Sequence, residues 1–141
     1  MDYVISLMDW EKNVDPHYKK TYFRPPIACS SDDRHTEKWI TYANDYIATK
    51  ELTVYPGQTV VIKDQAAYGC IFIQGHGKFG VYEAETPVML RFGKLSADEY
   101  FVSEKAAKEG VAITNTSKFD NIVMLKHFAN NNHETPKTVP V

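Results

Sequence analysis

From residue 38 onward, apolar and β-branched residues come in short runs separated by turn residues every eight to twelve positions, which is the spacing of a β-sandwich or barrel. The runs predict strands over 38–43, 45–49, 51–55, 58–63, 69–74, 77–82, 87–92, 99–102, 110–114 and 121–128. Turns are predicted at Tyr55–Gln58, where Pro and Gly are adjacent, at Gln74–Gly77, read as a tight hairpin, and at Asn115–Lys118. Only Ser103–Lys108 reads as helical, over barely two turns.

The stretch Tyr68–Phe79 carries the strongest signal, a buried strand running into a glycine-rich turn. Alternation places Tyr68, Cys70, Phe72 and Gln74 on one face and Gly69, Ile71 and Ile73 on the other. Both faces are largely apolar, so the strand is expected to be buried on two sides. One side would be a barrel interior and the other a second sheet or a partner subunit, which makes a homodimer the expected assembly. In the last strand, Ile122, Met124, Lys126 and Phe128 share one face, and Val123, Leu125 and His127 share the other. One of Lys126 and His127 must therefore face inward or toward an interface.

The periodicity is weaker outside this region. Residues 1–37 mix aromatic residues with Pro16, Pro25 and Pro26 and predict an extended N-terminal arm. The proline pair removes two backbone donors and fixes φ. Ser30–Arg34 reads as a surface turn. Residues 38–128 form the expected barrel, and 129–141, with the run Asn130–Asn132 and two further prolines, a flexible tail. The start at Met1 and the unanchored tail are compatible with a piece of a longer protein.

Composition narrows the class of protein. A domain of 141 residues buries enough surface to be stable without disulfides or a structural metal. The 16 basic residues are interspersed with 18 acidic ones for a net charge of −2, which leaves no electrostatic footprint for nucleic acid or an anionic membrane. No apolar run approaches the roughly 18 residues that span a bilayer, and a cytoplasmic location is expected. Of the two cysteines, Cys70 lies in an apolar strand, where a thiol packs as a small hydrophobe.

The order of elements over Glu51–Phe128 resembles the cupin superfamily, an all-β double-stranded β-helix, or jelly-roll barrel. If Gly75 closes the first cupin motif, Tyr68 stands at the motif's Glu and Asp64 and Ile62 at its two His positions. In the second motif Asn115 matches the closing asparagine, which places Val111 at the third metal-binding His. The resemblance therefore implies the barrel without its metal centre, since Ile62 and Val111 cannot coordinate an ion. No cofactor is expected.

On that facing, Asp64, Tyr68 and Gln74 look into the barrel. Tyr68 and Gln74 either satisfy each other or the backbone, or line a ligand pocket; Asp64 either caps a turn or joins the pocket. Arg91, among apolar neighbours, either snorkels to water or binds a carboxylate or phosphate. Lys126 completes the candidate ligand-binding set. Glu99, at a strand start, and His127, at a strand end, are the candidate catalytic groups. His76 lies between two glycines at a turn. No Ser-His-Asp order, phosphate loop or zinc-spaced set is found.

Three functions fit these residues. The favoured one is a metal-independent module binding a small molecule such as a sugar or small acid. The second is an enzyme similar to the carbohydrate isomerases and epimerases of the cupin superfamily, with Glu99 or His127 as base and Tyr68 or Lys126 as proton donor. The third is a structural or regulatory dimerisation domain with a filled barrel.

Overall fold

A computed structural model describes residues 2–87 and 92–140. Ten described strands form two sheets, and every described pairing is antiparallel. The larger sheet contains β1 (Ile27–Ser31), β2 (His35–Thr41), β3 (Ile47–Val54), β5 (Tyr68–Gln74), β8 (Glu99–Val102) and β10 (Ile122–Ala129), in the order β1-β2-β3-β10-β5-β8. The smaller contains β4 (Thr59–Ile62), β6 (His76–Phe79), β7 (Tyr82–Glu85) and β9 (Val111–Asn115), in the order β4-β9-β6-β7. The architecture is all-β, as the strand spacing predicts.

Alternating side chains build a single core between the sheets. On β10, Ile122, Met124, Lys126 and Phe128 point inward and are buried. They meet Leu52 and Val54 of β3, Phe72 of β5, and Val60, Ile62, Phe79 and Ile113 of the smaller sheet. Phe72 packs edge-on against Phe79 across the gap, with ring centroids 6.0 Å apart, an arrangement that aromatic quadrupoles favour.

Gly75 does not sit in a hairpin as the sequence suggests. It turns the chain from β5 in the larger sheet to β6 in the smaller one. Its φ of +81° lies in the left-handed region, and a Cβ there would collide with the Asn121 carbonyl. The hairpin in this region is instead β6–β7, with Phe79 opposite Tyr82 and Gly80 in the loop. Helix α4 (Glu104–Glu109) is where the pattern predicts it, capped by the Ser103 hydroxyl, which accepts a bond from the Ala106 amide at 3.3 Å.

A second fixed corner follows β9. The Asn115 amide donates to the carbonyls of Val54, at 2.9 Å, and Asp120, at 2.8 Å, while its Oδ1 accepts from the Ser117 amide at 2.9 Å. One buried side chain thus ties the turn after β9 to β3.

Both ends of the chain differ from expectation. Residues 1–37 are not one extended arm: α1 (Asp2–Ser6), α2 (Trp10–Asn13) and α3 (Tyr18–Tyr22) are short helices, and β1 and the start of β2 belong to the larger sheet. The reason is that Glu37 and Trp39 alternate inward, as a sheet strand requires. The described residues beyond 129 are docked rather than loose. Asn132 is fully buried, the Pro136 carbonyl accepts from the Ala43 amide at 3.0 Å, and Val139 packs on the core.

Candidate functional site

Four charged side chains share the interior at one end of the barrel. The register puts Lys50 of β3 directly opposite Lys126 of β10 on the inward face. Two like charges so placed repel unless anions bridge them. Asp64, in the loop after β4, supplies the bridge: its Oδ1 accepts from Lys50 at 2.7 Å and its Oδ2 from Lys126 at 2.7 Å. Glu37 of β2 lies 3.4 Å from Lys50 Nζ and ion-pairs with Lys126, without hydrogen-bond geometry to the latter. Asp64 and Lys126 have no exposed surface. Two ammonium groups and two carboxylates therefore balance, with Asp64 and Lys126 fully enclosed and Glu37 and Lys50 at the edge of the interior.

Aromatic rings complete the enclosure. Lys50 Nζ lies 4.8 Å from the Trp39 ring centre, and Lys126 Nζ 5.3 Å from that of Tyr68, within range of cation–π attraction. Burial pulls the Lys50 pKa down, but the negative charges of Glu37 and Asp64 outweigh that and hold it above its ordinary value, so Lys50 stays an ammonium. Burial, and then the charge of Asp64, pushes the Tyr68 hydroxyl up. That hydroxyl has no hydrogen-bond partner among the described residues.

The cluster forms the floor of a cavity of about 520 Å³, whose walls include Ser30, His35, Trp39, Ile62, Lys63 and Glu134 as well as Lys50 and Glu37. Its walls come from β1 and β2 of the larger sheet, from β4 of the smaller, and from the docked tail. β1 and β4 are edge strands, so the cavity opens where the two sheets part. Glu134 reaches in from the tail, 3.7 Å from Lys50 Nζ. Cys29 also borders the cavity, and desolvation pushes its thiol up to about 11.

On the β1–β2 side, a second polar chain reaches the same cavity. Ser30 Oγ is 3.1 Å from His35 Nε2, and His35 Nδ1 is 2.8 Å from Asp32 Oδ1. Asp32 is held in turn by the backbone amides of Arg34 and His35, at 2.8 and 3.0 Å, and by the Arg34 guanidinium at 2.8 Å. Its hydrogen bond with Arg34 holds its carboxyl well below the usual range. An ionised carboxylate only accepts, so in neutral His35 the proton sits on Nδ1 and Nε2 is left to accept from Ser30. Sequence order hid this chain, because the run Ser30–Arg34 reads as a surface turn; only the hairpin brings the serine back over the histidine.

The structure brings together three of the residues singled out from sequence. Asp64, Tyr68 and Lys126 are buried inside the barrel, where Asp64 bridges cations rather than capping a turn. Lys126, and not His127, faces inward; His127 lies on the outer face, with its Nδ1 3.2 Å from Thr49 Oγ1. Gln74 does not face the barrel. The pairing of β10 with β5 slips at Val123–Met124, so that Gln74 pairs with Val123 while Phe72 pairs with Met124. This irregularity breaks the alternation and turns Gln74 outward to solvent. Glu99 and His127 border one shallow depression on the outer face of the larger sheet, with Gly69 and Phe101. Arg91 lies outside the described residues. Glu37, Lys50 and the serine–histidine pair were not singled out from sequence, although the inward alternation of β2 and β3 could have marked the first two.

A cupin-type metal centre does not fit this interior. Of the positions that the motifs assign to ligands, Ile62 and Val111 are apolar, and both Asp64 oxygens already bind ammonium groups. Among the described residues no group of three or more His, Cys, Asp or Glu side chains is arranged to hold a metal ion.

Two antiparallel sheets closed around an inward-facing row, with an opening at one end, define a jelly-roll barrel. Solved structures bear this out. The chain is similar to the polyketide cyclase RemF from Streptomyces resistomycificus, with a TM-score of 0.54 and 8% identity over 84% of this chain and 82% of that one. It is also similar to a cupin-2 domain protein from Rhodospirillum rubrum, with a TM-score of 0.50 and 14% identity over 84% and 76%. Against the oxalate decarboxylase of Lactobacillus farciminis, solved as a formate complex, the TM-score is 0.53 at 17% identity over 79% of this chain, which spans only 32% of that chain. The fold is that of the cupin superfamily. No protein-family profile matches the sequence, and no curated protein does. No helix among the described residues is long and apolar enough to cross a membrane.

Proposed function

We propose that this chain is a metal-independent cupin domain that binds a small polar molecule, a sugar or small acid, in the cavity between the β1 and β4 edges. The observation that carries this reading is Lys50. It is held as an ammonium by two buried carboxylates, and it forms part of the wall of a 520 Å³ cavity, a volume in the range of small-molecule sites. Lys50 presents an ammonium group held in place by Asp64 and Glu37, Trp39 offers a ring face, and Ser30, His35 and Glu134 supply hydrogen-bonding groups. A filled barrel describes only the far end, where Leu52, Phe72 and Met124 close the core. The isomerase reading has less support, because its two candidate bases, Glu99 and His127, lie on the outer face.

The test is a thermal-shift screen of small acids and sugars, with and without chelator. A binder raises the melting temperature in proportion to RT ln(1 + [L]/Kd), and the rise is expected to survive chelation and to vanish in Val61→Trp, which fills the cavity wall. A screen without any shift at millimolar ligand, or a shift that chelator abolishes, would overturn the reading. The proposal extends to a cytoplasmic homodimer paired through the outer face of the larger sheet, where Ile73 and Phe101 are exposed. Light scattering that gives the mass of a single chain would remove the dimer.

A further inference from the structure

The serine, histidine and aspartate on the β1–β2 hairpin do more than stabilise a turn. We infer that Ser30, His35 and Asp32 form a nucleophilic relay, and that small carboxylic esters are hydrolysed in the cavity bordered by Ser30 and His35, by acyl transfer through Ser30.

Connectivity is what makes the three residues a relay. A serine hydroxyl becomes a useful nucleophile when a base accepts its proton and a third group fixes the base in the right tautomer. Here Ser30 Oγ lies 3.1 Å from His35 Nε2, and Asp32 Oδ1 lies 2.8 Å from His35 Nδ1. Both ring nitrogens are thus engaged, each with the partner its role requires. Asp32 is rigid, since both its oxygens are bonded within the turn. His35 is nine-tenths buried, so its ring is held by packing, whereas Ser30 is exposed toward the cavity.

Position supplies the second line of evidence. The β1–β2 pairing is irregular between Ala28 and Ser30, and such irregularities re-aim side chains beside functional sites. Ser30 and His35 open onto the same 520 Å³ space as the ammonium groups of Lys50 and Lys63. Both lysines border the space in which an oxyanion would develop. Lys50 is not a competing base, because its carboxylate partners keep it protonated. Cys29, one residue away, is not a competing thiolate near neutral pH, because desolvation raises its thiol.

The chemistry closes without a cofactor. Ser30 Oγ bonds to the ester carbonyl carbon while its proton passes to His35 Nε2, and the carbonyl electrons move onto oxygen. As the tetrahedral species collapses, the C–O bond to the alcohol breaks and the alkoxide takes the proton from His35. Water then attacks the acyl-serine, giving its proton to His35. The carboxylic acid leaves, and the proton returns to Ser30.

The experiment pairs covalent labelling with turnover. The full chain is treated with a fluorophosphonate probe and analysed by intact and peptide mass spectrometry, and p-nitrophenyl acetate hydrolysis is followed in parallel. One adduct on Ser30 is expected, with an initial burst of one equivalent of p-nitrophenolate. Ser30→Ala should abolish the adduct and lower the rate by at least about 100-fold, while Ser31→Ala, on the neighbouring exposed serine, should change neither. His35→Gln should lower both labelling and burst while the protein retains its strand-rich circular dichroism. Absence of the adduct, an adduct that persists in Ser30→Ala, or hydrolysis equal in the two proteins overturns the inference. The binding reading is scored separately: a ligand-induced thermal shift in the parent chain that vanishes in Val61→Trp sustains it whatever the labelling shows.

Discussion

Lys126 and Asp64, separated by 62 residues in sequence, are joined at 2.7 Å inside the barrel, and neither has exposed surface. Each depends on the other to be there as an ion, because a buried charge without a partner costs several kcal/mol. The pair is therefore a fold constraint as well as a site feature. Replacing Lys126 by Met leaves the two carboxylates sharing one remaining buried ammonium, and should lower stability by about 3–5 kcal/mol. Urea titration would register this as an earlier midpoint with an unchanged slope. The double variant Lys126→Met/Asp64→Leu should recover part of the loss, since matched apolar groups can replace a buried ion pair. A single variant as stable as the parent would show that the cluster is not closed in solution.

Asn115 offers a purely neutral counterpart. Its amide serves the Val54 and Asp120 carbonyls, and removal leaves both without that donor. Asn115→Ala should cost about 1–3 kcal/mol, while Asn115→Asp should be no better, because a carboxylate cannot donate. Thermal melts of the two variants, compared side by side, would check the claim; an aspartate variant that melts like the parent would refute it.

The glycines separate into two kinds. Gly75 combines a φ of +81° with the close Asn121 carbonyl, whereas a Cβ at Gly69 would meet no atom within 4 Å. Gly75→Ala should therefore destabilise the protein by more than about 1 kcal/mol, and Gly69→Ala should stay within about 0.5 kcal/mol. Equal effects would contradict the corner geometry. Gly69 also lies in the outer depression, so its substitution reports on any dimer without disturbing the fold.

Cys29 lends itself to a pH test. With the thiol pushed up to about 11 by desolvation, from an ordinary 9.0, thiolate is scarce near neutral pH. Alkylation by iodoacetamide at pH 8 should run well below the rate of a free thiol and climb steeply toward pH 11. The sign of the linkage follows: the folded chain holds this proton more tightly than the unfolded one, so its contribution to stability is complete below pH 9 and is lost between 9 and about 11. A Cys29 modified as fast as a small thiol at pH 8 would remove the shift. Cys70, pushed up to about 12 by burial, should resist alkylation until the protein unfolds.

Much of the barrel was legible because strands announce themselves by alternation. Alternation puts Tyr68, Cys70 and Phe72 on one face of β5 and groups Ile122, Met124, Lys126 and Phe128 on one face of β10, as the structure has them, without deciding which face of β10 is inward, and Asn115 falls at a turn. Alternation fails where the backbone steps out of register: the slip opposite Met124 turned Gln74 outward, and no residue type in the strand marks it. Lys126 was ambiguous with His127 because its orientation is decided by Asp64, which lies far away in sequence. The relay of Ser30, Asp32 and His35 was missed for the opposite reason. Its members are so close in sequence that turn chemistry explained them, and only pairing across the hairpin gives the histidine two partners. The terminal segments misled because prolines and asparagines describe local stiffness and polarity, while docking is decided by the surface onto which a segment can fold.

That docking gives the barrel a mechanical polarity. Because the chain past β10 is stitched to the Ala43 loop and sends Glu134 toward Lys50, tension applied at the C-terminus would first peel away the wall of the cavity, before any strand is loaded. The same attachment means that a protease trimming from this end would strip the cavity of one wall while leaving both sheets intact, so shortened chains should keep their spectroscopic signature and lose the ligand-induced thermal shift that the proposed binding function predicts.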